Sequence, residues 1–228
     1  MSQPQLVIFD CDGVLVDSEI IASRVEAELL TEAGYPIDPE ELAARFAGLT
    51  FRDILLRVEK EAGIPVQASL LDREKAALDK ALRSVAAIDG VHQAVAAAGP
   101  VRCICSNSAP ERLEMMLTST GLKPLFGDRI FSSVATPTRK PKPAPDVFLH
   151  AASEMGVAPR NCFVLEDSVH GIAGAKAAGM RVIGFTGGAH TWPGHADALT
   201  EAGAETVIRR WADLPAVLSA LTEWADVD

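Results

Sequence analysis

The chain has 228 residues, of which 48% are hydrophobic and 23% charged, a balance that suits a globular protein and excludes disordered and fibrous chains. Lys and Arg number 21 against 31 Asp and Glu, giving a net charge of −10, which repels polyphosphate surfaces and argues against nonspecific binding to nucleic acid or anionic membranes. Any anionic ligand must therefore meet a local cluster of cations or a bound metal. No stretch approaches the roughly 18 apolar residues of a membrane span, and the start lacks a basic region followed by a long apolar run. A cytoplasmic address, with no membrane partner, is the expectation.

Taken in chain order, the first element is the apolar run Leu6 to Phe9, too short for a helix and read as a buried strand. From about Ser18 to Ile88 the rhythm changes, because this region contains no convincing strand and is rich in Ala, Leu, Glu, Arg and Lys. Ile21, Val25, Leu29 and Leu30 predict one helix, Ile54, Leu55 and Val58 a second, and Leu70, Leu71, Leu78 and Leu82 a third or fourth. Gly34-Tyr35-Pro36, Gly48 and Gly63-Ile64-Pro65 separate them. Strand and helix then alternate: a strand at Val101 to Cys105, helices at Ala109 to Thr120 and Pro145 to Met155, a strand at Cys162 to Leu165, a helix at Ser168 to Ala178, and a strand at Val182 to Phe185. A weaker strand is expected at Thr206 to Ile208 and a closing helix from about Asp213 to Trp224. Gly121, Gly156 and Gly179 follow three of these helices as stop signals.

This alternation predicts an α/β fold, a Rossmann-like parallel sheet core covered by helices on both faces, with an inserted α-helical cap domain. The expected division is a core of residues 1–17 and 89–228 and a cap of residues 18–88. An insert after the first strand emerges at the strand's carboxyl end, where open α/β sheets bind ligands. The four cysteines, Cys11, Cys103, Cys105 and Cys162, lie in or beside apolar runs without the paired CxxC spacing of a zinc site, so they are expected to be reduced core residues.

Four short segments carry the chemistry. Asp10-Cys11-Asp12-Gly13 directly follows the first strand, and two carboxylates that close repel each other unless a cation or a proton is shared. Oxygen ligands favour a hard ion such as Mg²⁺, while a turn or capping role is the plainer alternative. Glu166-Asp167-Ser168 repeats the strand-then-acid arrangement, and parallel strands bring both acidic pairs to one edge. Ser106-Asn107-Ser108 ends a third strand just ahead of a helix, offering an anion site for which Ser106 is the functional candidate and Ser108 the helix cap. Arg139-Lys140-Pro141-Lys142-Pro143-Ala144-Pro145-Asp146 is a cationic loop whose prolines restrict Lys142.

These segments, in this order, resemble the haloacid dehalogenase superfamily, in the branch with a helical cap after the first strand that includes sugar-phosphate phosphatases and β-phosphoglucomutase. The match runs through Asp10 to Glu19, Ser106-Asn107, Lys142-Pro143-Ala144-Pro145-Asp146-Val147-Phe148 and Glu166-Asp167-Ser168, with Gly171 and Gly179 following. The stretch Phe9 to Ser23, with Asp38 to Glu41 and Arg45 to Gly48, is most similar to bacterial sugar phosphatases of the 6-phosphogluconate phosphatase kind.

The resemblance implies a phosphoric monoester hydrolase acting on a small phosphorylated metabolite, a sugar or sugar-acid phosphate. It implies Asp10 as nucleophile, Asp12 as acid and base, Lys142 as a second positive charge, and Ser106 with the Asn107 backbone N–H as phosphate grips. Mg²⁺ would be held by Asp10, the Asp12 carbonyl, Glu166 and Asp167. Relatives that are dehalogenases lack an acid at the position of Asp12, which disfavours that chemistry here. The mutase alternative carries a His in the hinge and a Lys before the cap glycine, near where Ala22 and Ala47 stand. A binding module that has lost its chemistry is disfavoured by the intact Asp10, Asp12 and Lys142. Arg45 and Arg52, with Arg24 and Lys75, are candidates for touching the leaving group from the cap, and His190, Trp192 and His195 have no assigned role. A monomer or weak dimer is expected.

Overall fold

The computed structural model describes residues 6–46, 49–63, 65, 69–99 and 101–225. Ala47, Gly48 and Ile64, used above as hinge or breaker positions, lie outside the described residues. Each apolar run becomes a strand because it is buried on both faces. In β1 (Leu6–Phe9) all four side chains are fully buried, and each such burial stabilises by about 1.5–3 kcal/mol.

After β1 come the helices α1 (Glu19–Glu32), α2 (Pro39–Arg45), α3 (Phe51–Ala62) and α4 (Ser69–Ala81). Two of these start where side-chain caps dictate: Asp38 accepts from the Glu41 N–H at 2.7 Å, and Thr50 from the Asp53 N–H at 3.2 Å. The chain continues through α5 (Val91–Ala97), β2 (Arg102–Ser106), α6 (Pro110–Ser119), α7 (Lys123–Phe126) and β3 (Ile130–Ser132). It closes with α8 (Asp146–Glu154), β4 (Cys162–Glu166), α9 (Val169–Ala177), β5 (Arg181–Phe185), α10 (His195–Glu201), β6 (Thr206–Ile208) and α11 (Leu214–Ala225).

The strands form one parallel sheet in the order β3-β2-β1-β4-β5-β6. Period-two alternation divides the core between its faces. Val7, Phe9, Ile104, Leu165 and Phe185 pack on one side with Trp211, and Leu6, Ile8, Cys103, Cys105 and Val164 on the other with Phe148. All four cysteines are buried and free. β3 is a strand the sequence reading missed.

A third apolar cluster belongs to the helical insert and joins Ala27, Leu30, Leu42, Phe46, Ile54, Leu55, Val58 and Leu70. Leu78 and Leu82, read above as part of the insert's apolar stripe, pack instead with Val14, Leu15 and Val16 of the core cluster. The two chain crossings pair with each other: Asp17 N–H donates to the Ala86 carbonyl and Ile88 N–H to the Leu15 carbonyl, both at 3.0 Å.

Candidate active site

The register of the central strands sets the site. Phe9 lies opposite Ile104 on β2 and Leu165 on β4, so the next residues, Asp10, Cys105 and Glu166, arrive side by side at the carboxyl edge. Asp10 N–H still donates to the Leu165 carbonyl at 3.0 Å, which fixes its backbone as an extension of the strand.

Lys142 reaches this edge from the proline-flanked loop ahead of α8. Its buried Nζ donates to Asp10 Oδ1 at 2.5 Å, Glu166 Oε1 at 2.6 Å and the Cys105 carbonyl at 2.7 Å, and lies 5.1 Å from the centre of the Phe148 ring. All three of its donors are used, so the ammonium is held by geometry as well as charge. Asn107 steadies it from behind, since Asn107 Oδ1 accepts from the Lys142 N–H at 2.9 Å. The other oxygen of Glu166 accepts from the Ser168 N–H at 3.2 Å and the Ser168 hydroxyl at 3.0 Å. Ser168 in turn caps α9 by accepting from the Gly171 N–H.

Asp10, Glu166 and Asp167 are all buried, and each offers an oxygen within 4.8 Å of the others'. Burial raises the Asp10 carboxyl well above the usual carboxylate range, against the pull of Lys142, and repulsion from Glu166, Asp12 and Asp167 adds to the rise. Glu166 moves the same way, through burial and the proximity of Asp167. Lys142 is raised: burial alone would lower it, but Asp10 and Glu166 more than offset that. Lys142 pairs with Asp10 and Glu166 while Asp167 adds a further carboxylate, an excess of negative charge that a divalent cation would offset. An oxygen-only, buried, charge-deficient set of this kind fits Mg²⁺.

Asp12 stands opposite this cluster, gripped by three hydroxyls. Ser18 donates to its Oδ1 at 2.9 Å, and Ser106 and Ser108 to its Oδ2 at 3.1 and 2.8 Å. One sequence expectation changes here. Ser108 is not the cap of α6: Pro110 opens that helix, Ala109 holds the cap position, and the Ser108 hydroxyl turns to the acceptor-rich carboxylate of Asp12. Ser106 likewise spends its hydroxyl on Asp12 and accepts from the Ser108 N–H at 2.9 Å. Gly13, with φ of +69°, is required by close approach as well as by the turn, because a Cβ there would lie 2.0 Å from Asp167 Oδ2.

Asp10, Asp12, Ser18, Lys142, Glu166 and Asp167 line the core side of a cavity of about 930 Å³. Its roof comes from the helical insert and includes Glu19, Ala22, Arg52, Leu71, Lys75 and Leu78, while Arg112, His170, His190 and Trp192 line its sides. Arg52 and Lys75 are thus brought to the cavity. Arg45 is not: it is exposed, pairs with Glu61 at 2.5 Å and Glu41 at 3.5 Å, and lies 5.2 Å from the Phe46 ring centre, so its charge is spent on neighbours in the insert. Arg24 is also absent from the lining. The loop after β5 and the start of α10 supply residues that motif spacing left unassigned. His190 Nε2 meets Asp167 Oδ2 at 2.9 Å, and His195 Nε2 donates to the Asp167 carbonyl at 2.7 Å. Their position just past a predicted strand of the sheet was the available signal.

Residues 7–185 match the haloacid dehalogenase-like hydrolase family, and the chain belongs to it. It is 34% identical over 198 residues to 6-phosphogluconate phosphatase of Escherichia coli, a match covering 85% of this chain and 87% of that protein. It is 32% identical to hexitol phosphatase B of the same species, over 80% of this chain and 85% of the relative. Among solved structures, a conserved haloacid dehalogenase-like protein of unknown function from Agrobacterium tumefaciens superposes with a TM-score of 0.92 at 60% identity, covering 96% of this chain and 99% of the other. Within its family the chain is a phosphatase.

Proposed function

We propose that the enzyme hydrolyses a small phosphomonoester, a sugar or sugar-acid phosphate, through a phosphorylated Asp10, with Mg²⁺ as its metal. The observation that carries this reading is the grouping of Asp10, Glu166 and Asp167, the first two bonded to Lys142, in the lining of a cavity that also holds Asp12.

Asp10 Oδ1 is occupied by Lys142, which leaves Oδ2 to attack phosphorus as the bond to the ester oxygen breaks. Asp12, protonated when substrate binds, donates that proton to the departing oxygen. It then takes one from the water that attacks the acyl-phosphate, releasing inorganic phosphate and restoring the Asp10 carboxylate. The serine hydroxyls on Asp12 fix its orientation between these two duties. Lys142 stays in contact with the nucleophile and would offset the negative charge carried by the phosphoryl oxygens. Asp10, Glu166, Asp167 and the Asp12 carbonyl would hold Mg²⁺, which when bound supplies Lewis-acid neutralisation of the phosphoryl charge.

We assign residues 18–88 to a cap that covers the site and residues 1–17 and 89–228 to the catalytic core. Arg52 and Lys75 on the roof favour a leaving group with polar or anionic substituents. Ala22 lines the cavity without a proton-carrying group, which counts against mutase chemistry.

A panel of sugar, polyol and sugar-acid phosphates, assayed for phosphate release with and without Mg²⁺ and ranked by kcat/KM, tests the proposal. Metal-dependent release led by hexose or sugar-acid monophosphates is expected. Conversion of β-glucose 1-phosphate to the 6-phosphate outpacing phosphate release, or equal release in chelator, would contradict it.

A further inference from the structure

We infer that His190 is a positioning residue for the metal site: it fixes the rotation of the Asp167 carboxylate, with His195 holding the same residue by its backbone. This rests on the reading of Asp167 as a metal ligand. His190 Nε2 contacts Asp167 Oδ2 at 2.9 Å, with the Asp167 side chain buried and that of His190 only 9% exposed. His195 Nε2 donates to the Asp167 carbonyl at 2.7 Å. The loop after β5 and the first residue of α10 thus grip one residue at two points, and Trp192 from that loop stacks on the His195 ring at 3.8 Å between centroids.

The His190 ring sits in a slot made for it. A Cβ on Gly188 would lie 2.6 Å from its Nδ1, and a Cβ on Gly13 would lie 2.9 Å from its Cε1. Its Nδ1 is buried and has no partner among the described residues, so Nε2 is the atom through which the ring bonds. The loop itself is tethered, since the Ala189 N–H donates to Asp17 Oδ1 at 2.9 Å, at the point where the chain enters the insert.

With Oδ2 engaged by the imidazole, the rotation of the whole Asp167 carboxylate is set by that contact, and with it the oxygen it offers beside Asp10 and Glu166. A carboxylate on a short side chain rotates freely unless something holds it, and a misplaced ligand oxygen weakens coordination. Partners of metal ligands typically contribute about 10–100-fold in metal affinity.

The test is a direct measurement of Mg²⁺ affinity by calorimetry on substrate-free protein, for wild type and for the variants H190Q, H190N and H190A. Gln can place an amide N–H where Nε2 sits, whereas Asn is too short. H190A and H190N should bind Mg²⁺ about 10–100-fold more weakly, with H190Q recovering most of the affinity. Thermal melts of H190Q and H190N provide the folding control should H190A fail to fold. The control variant D167N separates the two layers of the argument. If D167N loses Mg²⁺ while H190N binds as wild type does, the positioning role is wrong and the metal reading stands. If D167N itself binds normally, the metal assignment has failed.

Discussion

Glu26 lies on the same face of α1 as Glu19 and Ala22 and lines a small pocket of about 100 Å³ beside the main cavity. Burial, reinforced by the nearby Glu19 and Glu74, pushes its carboxyl from the usual 4.5 up to about 8. Because the folded-state value is the raised one, the folded protein holds a proton that the unfolded chain has already released. The stability this confers on the protonated form is complete below pH 4.5 and is lost as pH rises to about 8. The slope in that window approaches about 1.4 kcal/mol per pH unit, so the loss is bounded at roughly 5 kcal/mol. E26Q keeps the shape and removes the proton linkage. Urea denaturation of both proteins from pH 4.5 to 9 should show E26Q gaining on wild type as pH rises, by a few kcal/mol in total, and then holding level. Parallel stability curves across the range would refute the reasoning, because the carboxyl would then be titrating alike in both states.

Three further outcomes follow from the site. K142M leaves Asp10 and Glu166 buried without their shared cation, and should cost about 3–5 kcal/mol in metal-free urea melts, with part of the loss recovered on adding Mg²⁺; an unchanged melt would mean the ammonium is not needed for the balance of charge. G13A drives a methyl group into Asp167 and should lower kcat by roughly 100-fold, the scale expected of an ångström's misplacement in a catalytic constellation, as read by steady-state kinetics on a stable fold. R52A should raise KM roughly tenfold or more if the guanidinium meets the leaving group, while R45A leaves KM as it is. Equal effects of the two would place the specificity surface elsewhere.

The strands were legible because a parallel sheet buried on both faces demands unbroken apolar runs, and Leu6–Phe9 became β1 with those same bounds. β3 escaped because it has only three residues and lies at the sheet edge with two of them partly exposed, so it needs no such run. Asp10, Lys142, Glu166 and Asp167 were legible because acids and a stiffened cation at strand ends have few bland explanations, and the register does bring them together. Ser108 was misread because a serine ahead of a helix is a cap by local rules, and nothing local reveals that Asp12, 96 residues away, outbids the helix for its hydroxyl. Arg45 looked available because sequence shows a cation but not its partner, and Glu61 reaches it only once α2 and α3 have packed. His190 could be placed against Asp167 only through the sheet order, since β5 sits beside β4.

The most direct test of the central claim is to quench the enzyme with acid during turnover of a good substrate and map the phosphorylated peptide by mass spectrometry. Phosphate should appear on the peptide that contains Asp10, accumulate when Asp12 is replaced by Asn, and be absent from D10N, which should no longer turn over. Phosphate found on any other residue, or substantial turnover surviving in D10N, would contradict the account.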